Sequence, residues 1–417
     1  MDLADINLLD RDRFAQGVPH EWFTYLRHHA PIFKHPEPDG PGFWVFVKHA
    51  DVCAIGRDPQ HFSSDQARGG VVQLEELTEE QRANQDLQEG GNMMLTMDPP
   101  THTRYRRLVN RAFTPKVLAA IEPHIREVTE QVVRQGVAKG EVDFVVDMAA
   151  ELPLIVIAEF LGVPHEDRHK LFSWSNKMIG SEDPEYAVDP AEVRQAFIDM
   201  FLYAQALAEA RRAEPRDDIV STLLAADVDG DELSIMDFNL FFLLLAVAGN
   251  ETTRNAISHG MRALIDHPDQ YRLVRDHPEL LPQAVEEILR WASPVLFFRR
   301  NVTEDIDYKG HQLRAGDKVS IWFVSANRDE DVFTNPFDFD VTRRPNPHVA
   351  FGGGGPHHCL GANLARMEMR LFFEALTRSV ERVEQIGDVA CLRSNFIGGI
   401  KHLPVRFHTA APVGAGV

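Results

Sequence analysis

The sequence predicts a mainly α-helical protein with small β-sheets, and three observations carry that expectation. Helical periodicity dominates from Thr101 to Leu289, interrupted at proline and glycine positions. Within that region Ser234 to His267 runs without a single proline. After Pro294 the chain breaks into short extended pieces separated by turns such as Tyr308-Lys309-Gly310 and Arg314-Ala315-Gly316.

The first hundred residues mix helical stretches with strand-like pieces. Gly42 to Val47 reads as a short strand rich in β-formers, and residues 64–97, with Gly69-Gly70 and Gly90-Gly91, read as a mobile polar loop with room for one short helix. The long helix opens on a capping-box pattern, Ser234-Ile235-Met236-Asp237, and stops before Pro268. At about 1.5 Å per residue it spans roughly 50 Å, enough to cross a domain. Leu240 to Leu245 is apolar all round, as in a buried helix. Ala248-Gly249-Asn250-Glu251-Thr252-Thr253 then brings an interior glycine, costing about 1 kcal/mol relative to alanine, together with an acid and two hydroxyls. That pattern asks for a groove and a polar pair at mid-helix. A final helix follows from Ala362 to Val380, and short strands follow near Phe396-Ile397 and from Pro404 to Phe407.

The 417 residues contain no Ser/Gly linker, low-complexity block or internal repeat, so residues 1–417 read as a single domain. A net charge of −20 excludes a general nucleic-acid binder, since phosphate contacts require basic surface. The acidic start, Met1-Asp2-Leu3-Ala4-Asp5, has no signal-peptide pattern, and the apolar run from Leu240 to Gly249 is about half of the ~20 residues a membrane span needs. Cys53, Cys359 and Cys391 lie far apart and are odd in number, which predicts no disulfide framework and a cytoplasmic location.

Phe351-Gly-Gly-Gly-Gly-Pro-His-His-Cys359-Leu-Gly361 is the most informative segment. It sets one cysteine after a flexible glycine run and before a helix, whose positive dipole end and free N–H groups favour a thiolate. Glycines let the main chain approach something large and flat. The segment fits metal binding or nucleophilic chemistry, beside the simpler role of a buried structural cysteine. Zinc needs three or four suitably spaced ligands, whereas His357, His358 and Cys359 are consecutive. An iron–sulfur cluster needs about four cysteines. No esterase- or protease-like motif accompanies the thiol. An axial thiolate to haem iron needs only the one cysteine.

Two further groupings stand out. Glu287-Ile-Leu-Arg290 lies among Ala284, Val285, Ile288 and Leu289, where burial would turn an ordinary surface pair into a core lock. Asp98-Pro-Pro-Thr-His102-Thr-Arg-Tyr-Arg106 puts His102 and Arg106 on one helix face, able to grip an anion or simply to form a basic stripe.

Together and in this order, these segments resemble the cytochrome P450 superfamily of haem-thiolate monooxygenases. The resemblance runs from about Trp22 to Phe407 and includes Glu251-Thr252, Glu287-x-x-Arg290, Asn327-Arg328-Asp329 with Phe333, Pro336 and Phe339, and the cysteine loop. The loop departs from the usual pattern: Phe351 to Cys359 is eight steps rather than seven. With Gly361-Ala-Asn-Leu-Ala-Arg366 and Ala246 to Ala256, the longer loop is similar to the actinobacterial branch that oxidises methyl-branched lipids and sterol side chains.

The resemblance implies a cytochrome P450 fold with the long helix over a haem b, Cys359 as the iron ligand, and backbone N–H groups near Gly361 tuning the sulfur. It implies His102, Arg106, Arg300 and His357 as propionate partners, with Arg300 preferred to Arg299 by motif register. Glu251 and Thr252 become the acid–alcohol pair that delivers protons. Met93, Met94, Leu244, Ala248, Val295, Leu296 and Phe396 become the lining for an apolar substrate, and residues 170–200, with Trp174, Met178 and Met200, a mobile lid. No nicotinamide- or flavin-binding fingerprint is present, so electrons are expected from a ferredoxin and its ferredoxin reductase. Arg104, Arg107, Arg111, Arg343, Arg344 and Arg370 are candidates for the docking patch. Peroxide-driven hydroxylation is disfavoured by Glu251-Thr252, and a haem sensor by the lack of a fused signalling segment; a lipid carrier is the remaining non-enzymatic alternative.

Overall fold

The proline-free stretch forms one unbroken α-helix, Ile235–Asp266, around which the other elements are arranged in a computed structural model. The structure describes residues 1–76, 93–186, 189–216, 218–225, 227–228 and 231–409. Gly90-Gly91 of the expected loop lies outside the described residues. The helices that position the site are α1 (His20–His29), α2 (His49–Gly56), α3 (Thr101–Val109), α4 (Pro115–Lys139), α5 (Glu151–Phe160), α6 (Arg168–Ile179), α7 (Pro190–Ala213), α8 (Ile235–Asp266), α9 (Leu281–Ala292) and α10 (Ala362–Ser379).

The ends of α8 follow local chemistry. Ser234 Oγ accepts from the Asp237 N–H at 3.0 Å, while the Ser234 N–H donates to the Asp237 carboxylate at 3.3 Å. At the other end the chain leaves the helix at His267, before Pro268 opens the next one. By length and composition α8 would pass as a membrane span, yet it packs against α5, α6, α7, α9 and α10 as the central helix of the core. Gly249 does not break it: a Cβ there would meet Ile157 Cδ1 of α5 at 3.0 Å, so the missing side chain admits a close helix crossing.

Beside the helices lies a five-stranded sheet in the order β1 (Ile32–His35), β2 (Phe43–Phe46), β5 (Lys318–Trp322), β4 (Phe297–Val302), β3 (Phe62–Ser63). The β2–β5 pair is parallel and the others are antiparallel. Side-chain alternation divides it between two cores. Val319 and Ile321 join Phe46 and Phe62 on one side, and Trp322 packs with Phe14, Phe23 and Phe297 on the other. A smaller sheet joins Glu141–Asp143 to Pro404–His408 and Arg382–Gln385.

The Glu-x-x-Arg pair is buried, as its apolar flanks predicted. Both side chains of Glu287 and Arg290 are 0% exposed and they meet at 2.8 Å. Arg290 also donates to the carbonyls of Asn327 (2.9 Å), Pro336 (2.8 Å) and Asp338 (3.1 Å). Glu287 accepts from Arg343 (3.1 Å), Asn346 (3.1 Å) and the Asp340 N–H (3.0 Å). α9 thus holds the irregular chain that leads to the cysteine loop. Arg290→Ala is expected to cost about 3–5 kcal/mol, because it leaves a buried carboxylate and several carbonyls unpaired; the denaturant midpoint of the purified variant checks it.

Candidate active site

The site begins where α10 begins. The Cys359 N–H donates to the Phe351 carbonyl at 2.9 Å and closes the loop. Phe351 is covered by the Arg366 guanidinium, 4.5 Å above its ring, and Arg366 is itself held by Glu286 of α9 at 2.7 Å. Cys359 is an exposed residue, and the surface it shows is the wall of an internal cavity. Burial pushes its thiol pKa up, opposed by the N–H groups of Gly361 and Ala362 and by Arg106 and Arg366. The helix-start geometry therefore acts in the direction expected from sequence, but the enclosed protein sulfur is not a thiolate on that account alone.

The glycine run does two jobs: Gly352, Gly353 and Gly354 line the cavity beside Cys359, and the run also packs closely on α2. Gly353 lies where a Cβ would meet Val52 O at 2.7 Å and Cys53 Cα at 2.9 Å, and a Cβ on Gly355 would collide with the Gly56 carbonyl. These glycines let the loop seat on the C-terminal end of α2. Gly361 is the one that meets open space: a Cβ there has nothing within 4 Å, and the residue lines the cavity.

Around the same cavity stand His102, Arg106, Arg300 and His357. The His102 and His357 rings are 4.2 Å apart, and His102 Nδ1 and His357 Nε2 are buried without a hydrogen-bond partner among the described residues. Burial, with the neighbouring arginines, lowers the pKa of His102 to about 4 and of His357 to about 2. Burial also lowers Arg300 to about 10. Asp98, the acid that acts on His102 and Arg300, is engaged by Ser63 Oγ and, at 2.8 Å, by the Ser64 N–H. A cluster of basic groups with orphaned nitrogens is a receptor for an anion. Strand alternation explains Arg300: it shares the cavity face of β4 with Phe298, whereas Arg299 turns to Asn301 (2.6 Å) and the Gln73 carbonyl.

The opposite wall is a stripe of α8. Phe241, Leu244, Leu245, Ala248, Thr252 and Ala256 recur at helical spacing along it. Thr252 Oγ1 donates to the Ala248 carbonyl at 2.7 Å, so its lone pairs are what it offers to a ligand or water. Glu251 is not on this wall. It is fully buried behind the helix, paired with Arg254, which donates in turn to Asn176 Oδ1 at 2.9 Å. Burial pushes the Glu251 pKa up against the pull of Arg254.

A second cavity, of about 890 Å³, meets the first at Leu95 and Leu244, which line both. Met93 and Phe396 line the larger space, and Met94, Ala248 and Val295 the one beside Cys359. Leu296 lines neither. Adjacent residues of an extended segment point to opposite faces, so Val295 turns inward and Leu296 packs into the core with Phe23, Phe297 and Trp322. Of the expected lid, Met178 lines the larger cavity, Met200 is wholly buried in the helical core, and Trp174 packs against Tyr203. Arg11 bridges Glu75 (2.6 Å) and Glu182 at the edge of this cavity, a contact of distant segments that sequence reading missed. Two of the docking arginines are otherwise engaged: Arg343 is sunk against Glu287, and Arg370 pairs with Glu122 at 2.7 Å.

A helix-rich fold, a single cysteine at a helix start, a cluster of bases and an apolar wall are the features expected of a haem site. The family model for cytochrome P450 matches residues 187–382. A steroid C26-monooxygenase of Rhodococcus jostii is 43% identical, over 96% of this chain and 84% of the relative. A methyl-branched lipid omega-hydroxylase of Mycobacterium tuberculosis is 44% identical, over 97% of this chain and 95% of the relative. A Mycobacterium marinum cytochrome P450 solved with pseudoionone superposes with a TM-score of 0.88 at 38% identity, covering 96% of this chain and 98% of that one. The chain belongs to the cytochrome P450 family and is a monooxygenase.

The basic cluster predicts a contrast between neighbours. Arg300→Ala should lower haem retention, read as the ratio of Soret to protein absorbance after gel filtration. Arg299→Ala should leave that ratio unchanged and lower thermal stability instead.

Proposed function

We propose that this chain hydroxylates an elongated apolar substrate, a methyl-branched lipid, isoprenoid or sterol side chain, at or near a terminal methyl. The observation that carries the reading is the junction of the two cavities at Leu95 and Leu244. A mainly apolar space of about 890 Å³ adjoins there the cavity that Cys359 and Thr252 line. Such a volume suits a drug-sized or sterol-sized ligand. A chain lying in it with one end past Leu244 presents a terminal carbon to the inner cavity and keeps its bulk between Met93, Met178, Phe197 and Phe396. The names of the steroid and lipid hydroxylase relatives support the same substrate class.

The haem in this reading is haem b, with Cys359 as its iron ligand and Gly361 leaving room beside it. His102, Arg106, Arg300 and His357 fit its propionates, since they are bases that line the cavity beside Cys359, and His102 Nδ1 and His357 Nε2 have no hydrogen-bond partner among the described residues. When bound, the haem supplies oxygen activation, and its thiolate ligand favours O–O cleavage. The protein's own groups do the rest. Apolar side chains exclude water and position the substrate. The Thr252 hydroxyl, with its proton engaged by Ala248, accepts a hydrogen bond and so holds a water in place. Glu251 can serve as the acid of the pair only when its contact with Arg254 opens.

Residues 1–417 act as one domain in this reading. Both ends of the chain contribute to the same core: Asn395 Nδ2 donates to the Leu8 carbonyl at 2.8 Å. Electrons arrive from a ferredoxin and its reductase. With a net charge of −20, docking relies on local basic surface, for which Arg104 and Arg107 of α3, Arg111 in the turn after it and Arg344 near the cysteine loop are candidates.

Cys359→Ser is expected to abolish the thiolate-type spectrum of the reduced, CO-bound protein. Thr252→Ala should leave that spectrum intact and lower product formed per oxygen consumed. Soret titrations should rank branched fatty acids, isoprenoids and sterols above small polar or aromatic compounds; the reverse order would overturn the substrate class.

A further inference from the structure

Arg366 stands one turn into α10, and its side chain leans back over the cysteine loop. Its Cζ lies 4.5 Å over the ring of Phe351, the residue whose carbonyl accepts the Cys359 N–H at 2.9 Å. The in-plane donors of the guanidinium meet Glu286 of α9 as a bidentate pair, Nε to Oε1 at 2.7 Å and Nη2 to Oε2 at 3.0 Å. His348 completes the unit. Its Nδ1 accepts from the Ala350 N–H at 3.3 Å, so Nε2 carries the ring proton and donates to Glu286 at 2.9 Å. The unit is one cation and one anion, with a neutral imidazole on the anion.

Covering the Phe351 ring requires no charge, and a leucine or methionine at position 366 would do it. What the guanidinium adds is a field at the sulfur. Against burial, which raises the Cys359 thiol pKa, Arg106 and Arg366 both act to lower it. Arg106 lines the cavity, donates to the Pro356 carbonyl at 3.0 Å and belongs to the basic cluster already described. Arg366 lies outside the cavity wall, behind Phe351, so its charge reaches Cys359 without serving an anion there. Against its own burial, Glu286 is drawn down to about 2 by His348 and Arg366, so it stays ionised beside that cation at any working pH.

We propose that Arg366 and Glu286 form a charge couple that sets how readily the haem iron takes its first electron, Arg366 favouring the reduced form and Glu286 holding that effect back. The inference rests on the haem-site reading given above. In the step concerned, ferric iron gains one electron from the donor protein and becomes ferrous; no bond is made or broken and no proton moves. The iron–thiolate unit becomes more negative by one charge, so a nearby cation stabilises the product and a nearby carboxylate destabilises it. The two side chains are 33% and 30% exposed, and water screens part of each effect. Both are positioning residues, acting through Phe351 and Cys359.

The test uses the haem-loaded, substrate-free protein in a redox titration with dithionite and mediators. Arg366→Gln should shift the ferric–ferrous equilibrium toward ferric by about tenfold, or 59 mV for one electron. Glu286→Gln should shift it toward ferrous, and the double variant should fall between the two. Arg366→Lys loses the bidentate fork but keeps the charge, and should stay near the wild type. A merely structural clamp would move the potential the same way whichever partner is lost. The C–O stretch of the reduced, CO-bound protein gives a second reading: it should fall in Arg366→Gln, where the sulfur donates more strongly, and rise in Glu286→Gln. Absent or same-signed shifts in the two single variants, or an Arg366→Lys variant that behaves like Arg366→Gln, would each overturn the proposal. If Arg366→Gln does not retain haem, Glu286→Gln and Arg366→Lys decide by the same criteria. A wild-type protein without a Soret band would overturn the haem reading and this proposal with it; where that band is present, the potentials decide the charge couple alone.

Discussion

The buried ion pair between Glu287 and Arg290 is the contact on which the rest of the site depends. An isolated buried charge is costly, and these two are tolerated because every face of the pair is occupied. Arg290 serves three backbone carbonyls, and Glu287 takes Arg343, Asn346 and a backbone N–H. Those partners all lie between Asn327 and Asn346, in chain with little regular structure of its own. Helix α9 therefore acts as a mould for an irregular segment. Glu286, its neighbour, extends the same function to His348 and Arg366, on either side of the cysteine. The position of one sulfur atom is set by a helix that does not itself contain it.

The cavity is electrostatically divided. At one side stand four basic side chains, His102 and Arg300 buried and Arg106 and His357 half-buried, and desolvation works against their charged forms. Such a group is costly for the protein alone and favourable once an anion enters, so binding and folding stability are coupled there. The remaining walls are mainly apolar, which strengthens electrostatic interactions inside the cavity. Thr252, Thr253 and Glu368 are polar side chains facing inward, and Glu251 is turned out.

The larger cavity is formed without breaking the core. Its walls come from segments far apart in the chain, among them Leu74, Met178, Phe197, Leu243 and Phe396. Arg11 joins two of these segments across its edge through Glu75 and Glu182. Val72, Ile198, Leu202 and Met236 are among the cavity residues and are also exposed, so the apolar lining continues to the outer surface.

Local chemistry was legible without a fold. The Ser234–Asp237 cap, the stop before Pro268, the β-rich Phe43–Phe46, the solitary Cys359 before a helix and the acid–arginine spacing at Glu287 all depend on near neighbours in sequence, and each appears where its pattern predicted. What could not be read was direction. Leu296 differs from Val295, and Glu251 from Thr252, by one position, yet each pair points to opposite sides of its element. The glycines after Phe351 line the cavity beside Cys359, and they also admit α2, a partner about three hundred residues earlier that no local pattern announces. Glu368 carries no motif signal of its own, and it becomes notable only because α8, α9 and α10 close around it and leave its Oε2 without a hydrogen-bond partner among the described residues. Sequence pattern sets which residues share a face, because helical and extended periodicity are local; which face meets the cavity is decided by packing among distant elements, and so only the folded chain shows it.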